Sequence, residues 1–405
     1  MRLRFLLLIV FCILALPGFV QPPLSIKKQT IRIIDSLHSL GLIQTPVSKQ
    51  LRFGMDTLQG EMWEGSLHYQ AALIAAKEFW QGFKTSPWVG YDAVSPKFAL
   101  QDLQYLEASI VKLSSDTELI NFFQQLEIKD PAYLSLKSAY LYYRGLVQRG
   151  AGLKYRDTAN WLLHSLNTMR WIHHFNFESY AVVNLAASEL TYYEKGTQPL
   201  QMKVVVGKST TPSPRFAAWC EQVILYPYWY VPPSIAIGEF LSKIKRNPSW
   251  LDQRNMQVVD GRGKVVNHHQ LNWNSFHAGY FPYTIRQSTG CDNALGVLKF
   301  DITTPYGVYL HDTNSKSAFL SSHRFLSHGC IRLEEPLLLG SQILKDALDT
   351  NYLQSCYKDQ KPVYRKLPKP IPIFSVYLPV SFRESGTLEY HKDVYRLMSA
   401  KKKPQ

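Results

Sequence analysis

Val308–Glu335 reads VYLHDTNSKSAFLSSHRFLSHGCIRLEE, and its two ends carry the chemistry: Tyr309-Leu310-His311-Asp312-Thr313, then Ser327-His328-Gly329-Cys330-Ile331-Arg332-Leu333. A cysteine attacks a carbonyl as its thiolate, so it needs a base or positive neighbours to lower a thiol pKa of about 8.5. His311, at the end of the predicted strand Gly307–His311, is the candidate general base, and Arg332 stands two residues beyond Cys330. Gly329 permits a sharp turn and is expected to leave amide N–H groups free to face a substrate oxygen, as an oxyanion hole requires. A lone cysteine before an arginine would read as a buried structural thiol. The complete heptad, with a strand-end histidine upstream, favours a presented nucleophile instead.

Working outward, short β-branched runs surround this segment. Tyr180–Asn184, Met202–Val206, Gly296–Ile302, Ile371–Leu378 and Thr387–Tyr390 are further strand candidates. From Ser25 to about Gly196 the pattern is helical, with helices expected over Tyr69–Phe83, Ala108–Leu126 and Pro131–Val147; Asp130 is placed as an N-cap before Pro131 at the first helical position. The expected fold is therefore α+β. A helical scaffold over residues 21–200 precedes a β-rich domain over 201–397, which is interrupted at about 233–283 by an aromatic, polar insertion opening with the helix Ser234–Ile244. Such an insertion beside an active domain reads as a lid or as a plain surface excursion.

The chain has 405 residues, 46% of them hydrophobic, which is enough for two or three domains with sizeable cores. The formal charge of +14 favours a polyanionic neighbourhood. The basic clusters Lys243–Arg246 and Lys401–Lys403, the latter in a tail over 398–405, are too short and too poor in aromatics for a nucleic-acid groove, so no nucleic-acid partner is expected. Arg2 and Arg4 precede an apolar run, Phe5–Leu16, closed by Pro17-Gly18. That is the order of an export signal, and the run is shorter than the roughly 20 residues that span a bilayer. Residues 1–20 are thus a signal peptide or an N-terminal membrane anchor, and the expected location is the periplasm or cell envelope. Cys220, Cys291, Cys330 and Cys356 contain no CxxC pair, and export permits disulfides without requiring them.

With these residues in hand, Ser327–Arg332 resembles the signature of the L,D-transpeptidase catalytic domain, the YkuD domain, with His311 as the upstream histidine. Met202–Lys208, Pro212–Phe216, Pro227–Pro232, Arg286–Gly290, Asn293–Phe300 and Val308–Thr313 are similar in order to blocks of its large periplasmic subfamily typified by YcbB, as are Asn167–Trp171 and Val183–Leu190. Tyr226 stands where that subfamily usually has asparagine, and Cys291 where proline is more usual. The N-terminal half carries no peptidoglycan-binding repeat.

The resemblance implies a cell-wall enzyme that takes peptidoglycan stem peptides as donor and acceptor and is a target of carbapenems. Cys330 would attack the third-residue carbonyl of a tetrapeptide stem and form a thioester, which a neighbouring stem's amine resolves into a 3→3 cross-link. It implies that a backbone carbonyl, not the Asp312 side chain, orients His311. Ser327, His328, Arg332 and Tyr309 are expected to shape the turn or meet substrate, with His328 the alternative base, while His323 reads as a solvated loop residue. The same Cys/His pair could serve an L,D-carboxypeptidase or an amine-anchoring acyltransferase. Rivals of other classes are a non-catalytic wall-binding scaffold and a redox protein pairing Cys330 with Cys291 or Cys356. His311, His323, His328 and Cys330 have spacings that can ligate zinc, but Gly329 and Ile331-Arg332 suit an exposed nucleophile better, and no metal or cofactor is expected.

Overall fold

A computed structural model of the chain describes residues 26–42, 67–81, 89–94, 100–113, 115–150, 152–355, 360–383 and 385–398. Residues 1–20, expected as a signal peptide or anchor, Cys356 and the basic residues Lys401–Lys403 lie outside them. The chain divides into two compact units, Met1–Gly82 with Phe98–Lys129, and Phe83–Lys97 with Asp130–Gln405.

The first unit is helical, with helices Ile26–Ser39, Leu67–Gln81, Leu100–Ile110 and Asp116–Gln125. Ala72, Ala75, Ala76 and Phe79 recur at helical spacing and are buried, as are Leu119, Phe122 and Phe123 on the last helix. The rings of Phe79 and Phe123 meet with centroids 6.4 Å apart. The stretch expected as one helix, Ala108–Leu126, is two: Ser115 takes an extended conformation and its hydroxyl accepts the N–H of Glu118, starting a new helix there.

The second unit opens with helices Pro131–Gln148 and Leu153–His174. Asp130 caps the first by accepting the Tyr133 N–H at 3.0 Å, as the sequence predicts. Its strands, in chain order, are β1 Tyr91–Asp92, β2 Ser179–Asn184, β3 Glu189–Glu194, β4 Leu200–Gly207, β5 Phe216–Leu225, β6 Trp229–Tyr230, β7 Met256–Val259, β8 Val265–Val266, β9 Thr284–Gln287, β10 Leu298–Ile302, β11 Leu310–His311, β12 Phe325–Ser327, β13 Ile331–Leu333, β14 Val363–Val376, β15 Val380–Phe382 and β16 Leu388–Tyr390. β2 covers the expected strand Tyr180–Asn184 and joins the main sheet, because Ala181 and Val183 pair it in parallel with β14 at Ile373 and Ser375.

The main sheet runs β5-β10-β11-β13-β4-β3-β2-β14, and β14 pairs back with β5, so it closes on itself; β1 adds to β5 and β12 to β4. Closure satisfies edge N–H and C=O groups that an open sheet would expose. The interior is apolar: Val204, Val206, Phe216, Val223, Phe300, Leu310, Ile331 and Leu333 form one cluster. Phe216 and Phe300, both essentially solvent-free, contribute up to about 3 kcal/mol each by burial. On another face, Trp171 of helix Leu153–His174 meets Phe374 of β14 edge to face at 5.3 Å.

Alternation on β10 decides where the site lies. Leu298, Phe300 and Ile302 point into the barrel core, so Lys299 and Asp301 point away from it. The insertion is a subdomain with its own four-stranded sheet, β6-β9-β7-β8, and its own core of Ile244, Leu251, Val258, Trp273 and Ile285 among others. The helix expected at Ser234–Ile244 is present as Pro233–Ile235 and Leu241–Arg246 around a π-helical turn, Ala236–Phe240.

Candidate active site

β11 lies between β10 and β13, and its register assembles the site. His311 is paired with Lys299 on one side and with Arg332 on the other. Paired residues share a face, so Lys299, His311 and Arg332 form a row on the side opposite Leu310 and Ile331, which enter the core. Tyr309 joins the row by alternation, and the Ile331 N–H donates to the Tyr309 carbonyl at 3.1 Å, which brings Cys330 alongside Tyr309 at the head of β13. Cys330 and His311 are thereby diagonal neighbours across adjacent strands.

His311 is buried, and its Nδ1–H donates to the Asp312 carbonyl. This fixes the tautomer, leaving the Nε2 lone pair as the proton acceptor. Burial, followed by the charge of Arg332, pushes its pKa down to about 3, with Lys299 acting in the same sense. The imidazole is therefore neutral at physiological pH. The Asp312 side chain is used elsewhere: Oδ2 accepts the Val297 N–H at 2.9 Å, and Oδ1 meets Lys316 Nζ at 2.5 Å.

Burial pushes the Cys330 thiol up, opposed by Tyr309, whose backbone N–H and hydroxyl face the sulfur, and by the charges of Lys299 and Arg332. Tyr309 is itself packed under Lys299, whose Nζ sits 4.3 Å from the ring centroid, and the Trp229 indole of β6 lies near the phenol oxygen, where it favours the ionised form. Burial also raises the Tyr309 phenol, which keeps its proton available to the sulfur.

The turn before Cys330 is built by two serines. Gly329 has φ +127°, a conformation open to glycine, and its carbonyl accepts Ser213 Oγ–H at 2.7 Å. Ser327 Oγ donates to the Cys330 carbonyl at 2.6 Å and accepts the Gly329 N–H at 3.1 Å. Of the amide N–H groups expected to be left free by the turn, that of Gly329 is occupied by Ser327. The Cys330 N–H makes no hydrogen bond among the described residues.

Arg332 is largely buried, and among the described residues its guanidinium has neither a hydrogen bond nor an ion pair. The His328 Nε2 lies 2.8 Å from Glu239 Oε1 on the π-helical turn of the insertion. His323 sits in an exposed bend beside Phe325, apart from the row. Cys220 is buried in the barrel with its thiol pushed up to about 12, and it is free, as is Cys330, while Cys291 is disulfide-bonded. The thiol pairing of Cys330 with Cys291 required by the redox reading is therefore not formed.

Sequence reading missed Lys299, Ser213 and Trp229. Lys299 becomes visible only once β10 is set in register with β11; in the sequence it is one polar residue in an alternating strand.

Residues 178–346 match the family model described as the L,D-transpeptidase catalytic domain, YkuD. A Haemophilus influenzae protein assigned provisionally to the L,D-transpeptidases is 30% identical over 221 residues, which are 54% of this chain and 45% of that relative. Among solved structures, an L,D-transpeptidase from Mycobacterium smegmatis is 18% identical, covering 49% of this chain and 58% of that one at a TM-score of 0.24. Mycobacterium tuberculosis L,D-transpeptidase 1 is 16% identical, covering 49% and 61% at a TM-score of 0.19.

Proposed function

We propose, from the premise that residues 178–346 are an L,D-transpeptidase catalytic domain of the YkuD family, that this chain cross-links peptidoglycan stem peptides through a Cys330 thioester. The single observation that supports the reading is the register of β11, by which His311, with its Nε2 left as acceptor, and Cys330 are diagonal neighbours on adjacent strands.

The donor is a tetrapeptide stem. The Cys330 sulfur attacks its third-residue carbonyl carbon as His311 Nε2 takes the thiol proton. The uncommitted Cys330 N–H faces the developing oxyanion, the role the Gly329 amide cannot fill. Collapse breaks the peptide bond, and the proton on His311 passes to the departing amine of the terminal D-alanine. An amine of a second stem then attacks the thioester, gives its proton to His311, and releases the thiol and a 3→3 cross-linked product. The unpaired guanidinium of Arg332 suits a carboxylate of the stem. The resting site is a neutral thiol with a neutral imidazole, so the thiolate forms with substrate in place.

The insertion reaches the site at two points, Trp229 to Tyr309 and Glu239 to His328. A subdomain with its own core, held against the motif in this way, suits a lid that excludes water and favours transfer to an amine over hydrolysis. Export to the periplasm or envelope follows from the substrate and from the N-terminal sequence pattern. Among the described residues no helix is long and apolar enough to cross a membrane.

The test is incubation of the purified chain with disaccharide tetrapeptide, followed by mass analysis. Cross-linked product with loss of one D-alanine is expected. Tripeptide alone would reassign the chain as an L,D-carboxypeptidase, and unchanged substrate would contradict the proposal.

A further inference from the structure

Away from the row around Cys330, three metal-ligating side chains converge within the insertion. Asp252 opens a short turn ahead of β7, and His268 and His269 lie in the turn that follows β8. His268 Nε2 is 3.1 Å from Asp252 Oδ1, and His269 Nε2 is 3.0 Å from Asp252 Oδ2. The ligating atoms of all three residues lie within 4.8 Å of one another.

The backbone holds them there. Asn267 Oδ1 accepts the His269 N–H at 3.1 Å, and Trp273 Nε1–H donates to the His268 carbonyl at 2.7 Å, so two consecutive histidines are turned toward one carboxylate with ring centroids 4.3 Å apart. Asp252 is fixed by its own turn, which ends at Asn255 in a left-handed conformation, φ 53°. His268 supplies an independent sign of a missing partner. Its Nε2 is closed off from solvent and, although near Asp252, has no hydrogen bond of acceptable geometry. A carboxylate merely bridging two imidazoles would align with both.

We infer that Asp252, His268 and His269 form a binding site for a zinc-like divalent cation that clasps the open end of the β7–β8 hairpin. Two imidazole nitrogens and a carboxylate are a donor set for zinc or its borderline neighbours, not for calcium or magnesium, which prefer all-oxygen sites. Ligands of a tetrahedral zinc stand about 3.3 Å apart. The two histidine–aspartate separations are a few tenths of an ångström shorter than that, an opening that the half-exposed side chains of Asp252 and His269 can make. With three protein ligands, a fourth position faces solvent. The cation would tie the two ends of the hairpin together and stiffen the subdomain that meets the catalytic motif.

The test is calorimetric titration of zinc chloride into the full chain carrying Cys330→Ser, which removes the reactive thiol as a competing ligand. One zinc per chain is expected, with affinity falling at least about 100-fold in Asp252→Asn and in His269→Ala. Both positions are exposed, and circular dichroism of each variant checks that it folds. Cobalt substitution gives a readout independent of mutation, the visible absorption of a low-symmetry nitrogen and oxygen site. Absence of one-to-one binding at tens-of-micromolar zinc, or affinity in both variants equal to that of the parent Cys330→Ser chain, would overturn the inference.

Discussion

Arg332 stands directly across from His311 on the neighbouring parallel strand, and Lys299 occupies the matching position on the other side. Cross-strand partners are about 5 Å apart, so two cations flank a buried imidazole. Burial and these charges hold the His311 pKa at about 3. The rate of acylation by a carbapenem should therefore rise with pH as the thiol ionises, with no step near the ordinary histidine value of about 6.5. Arg332→Gln should move that rise to higher pH and raise the KM for stem peptide roughly tenfold or more, the scale of a lost charged hydrogen bond. Stopped-flow acylation from pH 5 to 9 checks the profile and steady-state turnover of tetrapeptide stem checks the KM; an acid limb near 6.5 would show His311 titrating as an imidazolium.

Acid lability follows from the same burial. His164, whose Nε2 donates to the Tyr377 carbonyl at 2.9 Å, is also depressed, to about 4. In the unfolded chain both histidines take a proton near 6.5, whereas the folded chain resists until about 3 to 4. The unfolded state then binds more protons across that window, so stability is lost as pH falls from 6.5. Urea unfolding should give a lower midpoint at pH 5 than at pH 7.5, and an equal or higher midpoint would contradict the burial of these rings.

Asp312 serves His311 through its backbone and the Gly296–Val297 turn through its side chain. Asp312→Asn keeps an acceptor for the Val297 N–H and should lower kcat/KM less than about tenfold. A carboxylate that oriented the imidazole would cost about 10⁴-fold on such a change. Gly296→Ala should be worse, because its Cβ would stand 2.2 Å from Asp312 Oδ2 at a residue with φ +59°. A loss of about 1 to 3 kcal/mol is expected, read as a lowered Tm with activity falling alongside it.

Tyr226 occupies a left-handed conformation, φ 47°, which asparagine adopts far more readily than tyrosine. This gives a physical meaning to the asparagine expected at that position. Here the ring is buried, and its hydroxyl donates to the Tyr352 carbonyl at 2.8 Å. Tyr226→Asn relieves about 1 kcal/mol of backbone strain but forfeits roughly 3 kcal/mol of ring packing. A net loss near 2 kcal/mol is expected by thermal unfolding, and an increase in Tm would show that the strain outweighs the packing.

Much of this was legible before the fold was known. The thiol, the histidine and the glycine turn are local in sequence, and their chemistry can be read from residue type and spacing. β5 escaped notice because Phe216-Ala217-Ala218-Trp219-Cys220-Glu221-Gln222 has neither strict alternation nor a β-branched run; it is a strand because β10 and β14 flank it. Which amide at the Gly329 turn is free is hidden for a similar reason. Whether an N–H is free depends on the Ser327 hydroxyl, whose rotamer no sequence pattern specifies. Lys299 and the Glu239–His328 contact depend on pairings between distant segments, which periodicity does not register.

Acylation of Cys330 is tested most directly by intact-mass measurement after incubation with a carbapenem. The unmutated chain should gain the mass of one opened β-lactam, and Cys330→Ala should gain none. An adduct of equal yield on the Cys330→Ala chain, or none on either chain under reducing conditions, would contradict it.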